Sequence, residues 1–463
     1  MSNAAAASEE VSLRSLRVAI VGSGPAGVYS AAVLAEGDVS VDVIDRLPTP
    51  FGLVRYGVAP DHEKMKSVAV ALRNVLEGTR VRFLGNVELG RDISLDDLHR
   101  YYDAFIVASG AATDRRLGIE GEDLPGSFSA TDFVSWYSGH PDHPQDMFTL
   151  NAETVAVIGV GNVAVDIARL LSKAAHELRS TDIPGDVLAV LTQSRVRDVV
   201  IIGRRGPAQG KFTTKELREL GELANADVIV PPAELQVDEA GEAVLKENPA
   251  ARRNLDILRD WSQRTPEGRP RRLHLRFLLR PIAVSGRTAV TGLELAPGRL
   301  GGSGHAIDTG ERLHLPAQMV LRAVGYRGLP VPGLPFDKDR GTIPNSAGRV
   351  LRDGAPAPGE YVAGWIKRGP TGVVGTNKHD ASETVRCLLE DAALLPPPET
   401  RDPDAIMALL HQRGVRVVEW DGWEAIDALE ISAGLARNAR RVKVADRKRL
   451  LAAAFAARAV APG

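Results

Sequence analysis

Twice in this chain a short, wholly apolar run feeds a glycine-rich turn that opens into a helical pattern. The first instance is Val18-Ala19-Ile20-Val21, then Gly22-Ser23-Gly24-Pro25-Ala26-Gly27, then an alanine-, valine- and leucine-rich stretch through Leu34. An apolar run without alternation suits a parallel strand buried on both faces. Gly22 permits the tight turn, Gly24 lets the backbone approach a pyrophosphate, and Gly27 lets helix and strand pack closely. The helix opened by Pro25 and Ala26 turns its positive end to the anion. A second strand pattern, Val39 to Ile44, ends at Asp45. A carboxylate there is placed to accept a hydrogen bond from a ribose 2′-hydroxyl, as in FAD or NAD.

The second instance differs at one chemical point. Val155-Ala156-Val157-Ile158 leads into Gly159-Val160-Gly161-Asn162-Val163-Ala164, with Ala164 in place of the third glycine, and a helix follows to Leu171. The next strand, Asp198 to Ile202, ends in Gly203-Arg204-Arg205-Gly206. Arginines taken at random are solvated surface residues. At a strand end inside a dinucleotide unit, two guanidiniums suit a ribose 2′-phosphate, which they grip through charge-assisted bonds. One site asks for a hydroxyl and the other for a phosphate. NADP is therefore the expected second coenzyme.

Size and composition fit this arrangement. The 463 residues are too many for one ordinary core, and 44% hydrophobic with 25% charged residues is a globular balance. A net charge of −2 is not that of a nucleic-acid or membrane-surface binder. The longest apolar stretches fall short of a membrane span, so no membrane insertion is expected. Met1 to Ser15 lacks the core of a signal peptide and reads as a short disordered leader on a cytoplasmic protein. The single cysteine, Cys387, excludes a disulfide framework, a Cys-x-x-Cys redox pair and a protein-held iron–sulfur cluster. It falls in a helical pattern as inert core. Any electrons must therefore leave directly from a cofactor.

Two strand patterns ending in small residues mark where the chain could cross between domains: Phe105 to Ala111, and Gln318 to Tyr326. The expected architecture is α/β, with two Rossmann-like units in a glutathione-reductase-like arrangement. A discontinuous FAD unit (16–113 and 325–463) receives an inserted NADP unit (114–324). After the second crossing, Tyr361 to Thr376 joins a strand to a long helix ending near Leu389. Backbone N–H groups at that helix start would lie by the flavin, where the positive helix end favours reduced flavin's negative charge. A plain strand-to-helix turn with a packing tryptophan reads equally well.

Four long motifs in order carry a family resemblance. They are Pro48-Thr49-Pro50-Phe51-Gly52-Leu53-Val54-Arg55-Tyr56-Gly57-Val58-Ala59-Pro60-Asp61-His62, Gly159 to Asp166, Arg204-Arg205-Gly206-Pro207-Ala208-Gln209 and Trp365 to Thr376. The chain resembles adrenodoxin reductase and its bacterial ferredoxin–NADP reductase homologues from about Arg17 to the C-terminal part, including Gly422-Trp423 and the basic stretch near Arg440. Gly210 departs from the usual alanine, and Glu430 to Lys443 is looser than the pattern. The resemblance implies bound FAD, with Asp45 on its ribose and Trp365 and Gly372 near the isoalloxazine. It extends the FAD set to Arg46, Gly52, Leu53, Val58, Ala108, Gly110, Gly364, Val373, Val374 and Thr376. For NADP it implies Gly159, Gly161, Asn162, Val163 and Ala164 at the pyrophosphate and Arg204 and Arg205 on the 2′-phosphate, with Glu219 and Gly372 nearby. His62 and Glu219 would sit between nicotinamide and flavin. Taken alone, His62 reads equally as a solvated first-turn histidine of a helix from Glu63 to Leu76, and Glu219 as a helix-surface acid.

A flavin that takes electrons in pairs and releases them singly needs a one-electron acceptor docked close to it. Ferredoxins are acidic. Between Ala250 and Arg280 nine arginines face three acids, a local surplus of six positive charges. Leu255, Leu258 and Trp261 recur at helical spacing, leaving Arg252, Arg253 and Arg259 for another face, as a ferredoxin-docking patch or an ordinary solvated one. Rival readings are a quinone-type flavin reductase, a glutamate synthase subunit without its cysteine-rich region, and a sensor that binds NADP without turnover.

Overall fold

The computed structural model describes residues 15–301, 306–372 and 374–456; of the expected leader only Ser15 lies among them. The first apolar run is the strand Leu16–Val21, paired in parallel with Val39–Asp45 on one side and Ala104–Val107 on the other. Val81–Gly85 and Ala355–Val362 extend this parallel sheet, and the short antiparallel strands Arg349–Arg352 and Asn345–Ser346 complete its seven. Both faces are buried, as the unbroken apolar run requires. Val18 and Ile20 join a cluster containing Val28, Leu34, Val385 and Leu388 from the helices Pro25–Ala35 and Thr376–Glu390. Ala19, between them, joins Leu98, Phe105 and Val362 on the opposite face. Cys387 is buried in the first of these clusters.

The second apolar run, Thr154–Ile158, lies in a six-stranded sheet that is parallel throughout. Its neighbours are Met319–Arg322 and Asp198–Ile202, with Ser127–Ser129, Arg271–Arg276 and Ala226–Ile229 beyond. A smaller antiparallel sheet covers one face, placing Val284, Leu293 and Leu295 against Ala156, Ile158 and Val200. The chain passes between the two large sheets twice, and the passes are stitched together. Thr113–Asp114 pairs antiparallel with Tyr326–Arg327, and the Arg115 N–H donates to the Gly325 carbonyl at 2.9 Å.

The stretch after His62 is two helices, Glu63–Lys66 and Val68–Leu76, where the sequence suggested one. The segment that looked loosest, Glu430 to Lys443, is fastened by buried charge. Glu430 is fully buried and takes both terminal nitrogens of Arg55 at 2.9 and 2.5 Å, and the Val444 N–H at 2.9 Å. Lys443 donates to the Arg55 carbonyl and lies 3.3 Å from Asp182, which also holds Lys66 at 2.5 Å. Burial among these groups pushes the Lys443 ammonium down to about 7 from its ordinary 10.5. The unfolded chain then holds a proton that the folded chain has lost, so stability rises with pH between those two values. Relative to Lys443→Met, the unaltered chain should gain up to about 1.4 kcal/mol per pH unit from about pH 7 to 9. Urea midpoints across that range test this; parallel curves for the two proteins would contradict it.

Candidate dinucleotide sites and the seam between them

At the first turn, the backbone leaves no room for side chains. Gly22 has φ +115°, and a Cβ there would lie 2.4 Å from the Ala108 carbonyl oxygen. A Cβ on Gly27 would lie 1.9 Å from the Gly22 oxygen and 3.1 Å from Ile20. The helix Pro25–Ala35 starts at Gly24 with no side-chain cap and no acid in its first turn. Its leading N–H groups are thus open to an anion. The Pro48-to-His62 motif folds over this turn. Phe51, at φ +82°, donates its N–H to the Ser23 carbonyl and packs edge-on against Trp423 at 5.7 Å. Gly52 comes so close that a Cβ on it would sit 2.9 Å from Gly24.

Asp45 is pinned at the strand end. One oxygen accepts from the Ser23 N–H and hydroxyl at 2.8 and 2.5 Å, and the other from the Leu47 N–H at 2.9 Å. A carboxylate offers about four acceptor positions, so capacity remains for a ribose hydroxyl. Arg46 is exposed and pairs with Asp142, which also holds Arg447 at 2.9 Å. Leu53 opens the one-turn helix Leu53–Tyr56, and Val58 and Ala108 are buried behind it and behind the turn. The Cβ position of Gly110 faces open space.

The later segment arrives at the same place. A Cβ on Gly364 would meet that of Ala26 at 2.6 Å, so the strand Ala355–Val362 delivers its turn onto the start of the first helix. Trp365 heads the one-turn helix Trp365–Arg368, with its ring 5.4 Å from Tyr326 and its indole N–H on the Thr371 carbonyl at 3.2 Å. Gly372 lies against Thr376, the first residue of the helix Thr376–Glu390, which also starts without a side-chain cap. Val374 packs on the core beside it. Val373 falls outside the described residues. Two open helix starts therefore meet at one end of the first sheet. This cradle fits a dinucleotide with an anionic middle and an acid-seeking ribose.

The second turn repeats the close approach. Gly159 has φ +137°, with a Cβ position 2.2 Å from the Ala323 oxygen. Gly161 caps the helix Asn162–Ser172 with no side-chain bond and no acid in the first turn. Asn162 is fixed by accepting the Thr213 N–H at 2.8 Å; Val163 is half-buried and Ala164 fully buried. Arg204 and Arg205 line a cleft of about 350 Å³ with Leu278, Arg280 and Asp308. Asp308 holds Arg280 at 2.7 Å. Neither Arg204 nor Arg205 has a side-chain hydrogen-bond or ion-pair partner among the described residues. Two such cations in one cleft repel each other until an anion joins them.

His62 and Glu219 meet at the seam between the two sheets, the histidine Nε2 being 2.8 Å from the carboxylate. His62 is buried, so it is not a solvated first-turn residue. Its other nitrogen is 3.8 Å from Asp166. Burial lifts the Asp166 carboxyl above its ordinary value, against the pull of Arg169 and His62. Burial also opposes ionisation of Asp61, but Arg169 and Lys173 outweigh it and hold that group well below the carboxylate range. Asp61, Asp166, Arg169 and Lys173 carried no signal that marked them as a cluster. Only the fold brings them together.

The basic stretch is less basic than its composition. Seven of the nine arginines are bound within the protein: Arg264 to Asp260, Arg269 to Glu267, Arg272 to Asp198, Arg276 to Glu234 and Arg280 to Asp308, with Arg271 and Arg252 held by backbone carbonyls. Arg252, Arg253 and Arg259 remain exposed on the helix Pro249–Ser262, without a carboxylate partner among the described residues. Carboxylates thus pair with five of the nine, and the cations without one among the described residues are Arg252, Arg253, Arg259 and Arg271, with Asp256 beside the first three.

The comparison with known proteins decides the family. NADPH-ferredoxin reductase FprA of Mycobacterium tuberculosis (strain ATCC 25618 / H37Rv) is 46% identical over 459 residues, spanning 95% of this chain and 99% of its own. The chain belongs to the FprA and adrenodoxin reductase family. A model of the pyridine nucleotide-disulphide oxidoreductases matches residues 16–222 of this family member. The mitochondrial NADPH:adrenodoxin oxidoreductase of Arabidopsis thaliana is 42% identical over 466 residues, 96% of each chain. The structure of Mycobacterium tuberculosis FprA in complex with NADPH aligns with a TM-score of 0.90 at 44% identity, covering 96% of this chain and 100% of that one. The α/β fold with two Rossmann-like units expected from the turns and the FAD-dependent oxidoreductase class implied by the resemblance both hold. The broader family's name speaks of disulphide chemistry; this chain carries one cysteine, Cys387, and it is buried. No described helix is long and apolar enough to cross a membrane.

Proposed function

We propose that this protein is an NADPH:ferredoxin oxidoreductase of the cytoplasm. One observation carries the reading: a single chain holds two pressed glycine turns, one followed by a pinned carboxylate and the other by two unpartnered arginines. In it, 16–113 with 325–463 form the FAD unit and 114–324 the NADP unit. Gly22, Gly24 and Gly27 with the helix start at Pro25 would hold the FAD pyrophosphate, and Asp45 its ribose. FAD, when bound, supplies acceptance of a hydride and release of its electrons one at a time. Gly159, Gly161 and Asn162 would hold the NADPH pyrophosphate, and Arg204 and Arg205 its 2′-phosphate. Trp365 and Gly372 would line the flavin, closing the seam to water from the side of Tyr326. His62 and Glu219, sharing a hydrogen bond, would orient the nicotinamide end, where alignment matters more than any protein nucleophile.

The acceptor would dock on the exposed arginines of this helix, Arg252, Arg253 and Arg259. Arg252→Glu with Arg253→Glu should raise the KM for ferredoxin about 10-fold, chiefly through slower association, and leave ferricyanide reduction by NADPH unchanged. Equal losses in both steady-state assays would defeat the docking assignment. The thin positive surplus of that helix also favours one rival, a reductase of small oxidants such as quinones. Rates with ferredoxin and a quinone, measured side by side on one preparation, separate the two.

A further inference from the structure

The charged seam holds more than His62 and Glu219 require. Arg169, on the helix Asn162–Ser172, is 2% exposed. Its Nε and Nη2 take both oxygens of Asp61, the neighbour of His62, at 2.8 and 2.9 Å. Its Nη1 lies 2.8 Å from Asp166 and 3.4 Å from Glu219. One buried guanidinium thus touches three carboxylates from three segments. Two of those carboxylates are themselves the neighbours of His62. Lys173, at 2.7 Å from Asp61, and Lys215, at 3.8 Å from Glu219, are further cations on this cluster.

We infer that Arg169 is a positioning residue, which fixes the His62 loop of the first unit in register with Glu219 and the nucleotide-binding helix of the second. The inference rests on the reading that places the nicotinamide by His62 and Glu219. The chemistry asks for arginine. A planar fork holds both oxygens of Asp61 and still presents a third nitrogen to Asp166 and Glu219; an ammonium on a flexible stem cannot reproduce that set of directions. Hydride transfer is sensitive to such register, since a 1 Å misplacement costs about 100-fold. Charge matters separately. Three carboxylates face Arg169, Lys173, the more distant Lys215 and His62, and loss of the arginine charge leaves the acids to retain a proton to higher pH.

Two variants of the FAD-loaded enzyme separate these effects: Arg169→Lys keeps the charge and loses the fork, and Arg169→Gln loses both. The measurements are flavin content, NADP⁺ affinity by calorimetric titration, and the limiting rate of flavin reduction by NADPH in anaerobic stopped flow across pH. Arg169→Lys should keep its flavin and bind NADP⁺ within about threefold, yet reduce about 10- to 100-fold more slowly with an unmoved pH profile. Arg169→Gln should be slowed as much, with the profile displaced upward by about a unit. Asp61→Asn combined with Arg169→Lys should be no slower than the worse single variant, because both break one contact. Reduction by Arg169→Lys at the unaltered rate overturns the inference. So does a loss of NADP⁺ affinity as large as the loss of rate, since Arg169 would then merely support the fold. The Lys variant alone decides the matter if Gln fails to fold. His62→Ala guards the underlying reading: if it reduces normally, the nicotinamide placement fails and the inference with it; if only it is slowed, the placement stands and the inference fails.

Discussion

Gly27→Ala should give a protein without flavin. The added methyl would lie 1.9 Å from the Gly22 oxygen and 3.1 Å from the Ile20 side chain. The first obstacle is backbone, which has no rotamer to yield. The helix Pro25–Ala35 must then lift off the strand Leu16–Val21, and the pressed turn between them opens. Overpacking a core costs about 1–3 kcal/mol where side chains can shift, and more where they cannot. The N–H groups that a pyrophosphate needs would lose their common focus. Gly37→Ala, just past the same helix, is the control, because its Cβ would meet the Leu34 oxygen at an ordinary 3.6 Å. The ratio of visible to ultraviolet absorption in the purified proteins gives the result. A fully yellow Gly27→Ala would show that the first turn is not where flavin is held.

Arg204→Gln with Arg205→Gln should weaken NADP⁺ about 100-fold and leave NAD⁺ nearly untouched. A charged hydrogen bond is worth about 1.5–3 kcal/mol, and solvent at the exposed Arg204 lowers its share. About 3 kcal/mol for the pair corresponds to the stated ratio. Relief of repulsion between two neighbouring guanidiniums returns a little to the unliganded variant. Calorimetric titration of the same preparation with NADP⁺ and with NAD⁺ provides the comparison. Equal weakening of both ligands would mean that the arginines support the fold and do not read the phosphate.

These two expectations come from features legible in the sequence, because strand, turn and helix follow one another within some twenty residues. Val18 to Gly27 states its strand, its bend and its helix start locally, and so does Val155 to Ala164. The crossings near Ala108 and Ala323 were legible as strand ends, though not that each would offer the carbonyl against which a turn glycine presses. What the sequence concealed is long-range. Arg55 and Glu430 are far apart in the chain, and nothing local marks either as half of a buried pair. The segment Glu430 to Lys443 read as loose because its charges look solvated one by one; packed against Arg55, Lys66 and Asp182 they are the fastening. The reverse holds for the arginine-rich stretch. Composition counts charges without partners, and seven of those nine arginines have partners within the chain. Arg169 is another case: within a helical pattern it passes for a surface residue, and only the meeting of the two units turns it inward.

On this reading one chain keeps a flavin at the carboxylate-ended turn and admits NADPH at the arginine-ended one. Anaerobic titration of the purified protein with NADPH, followed by addition of oxidised ferredoxin, tests it most directly. The visible flavin band should be lost at close to one equivalent of NADPH and return when ferredoxin is added. A colourless protein, or a flavin band that persists in excess NADPH, would contradict it.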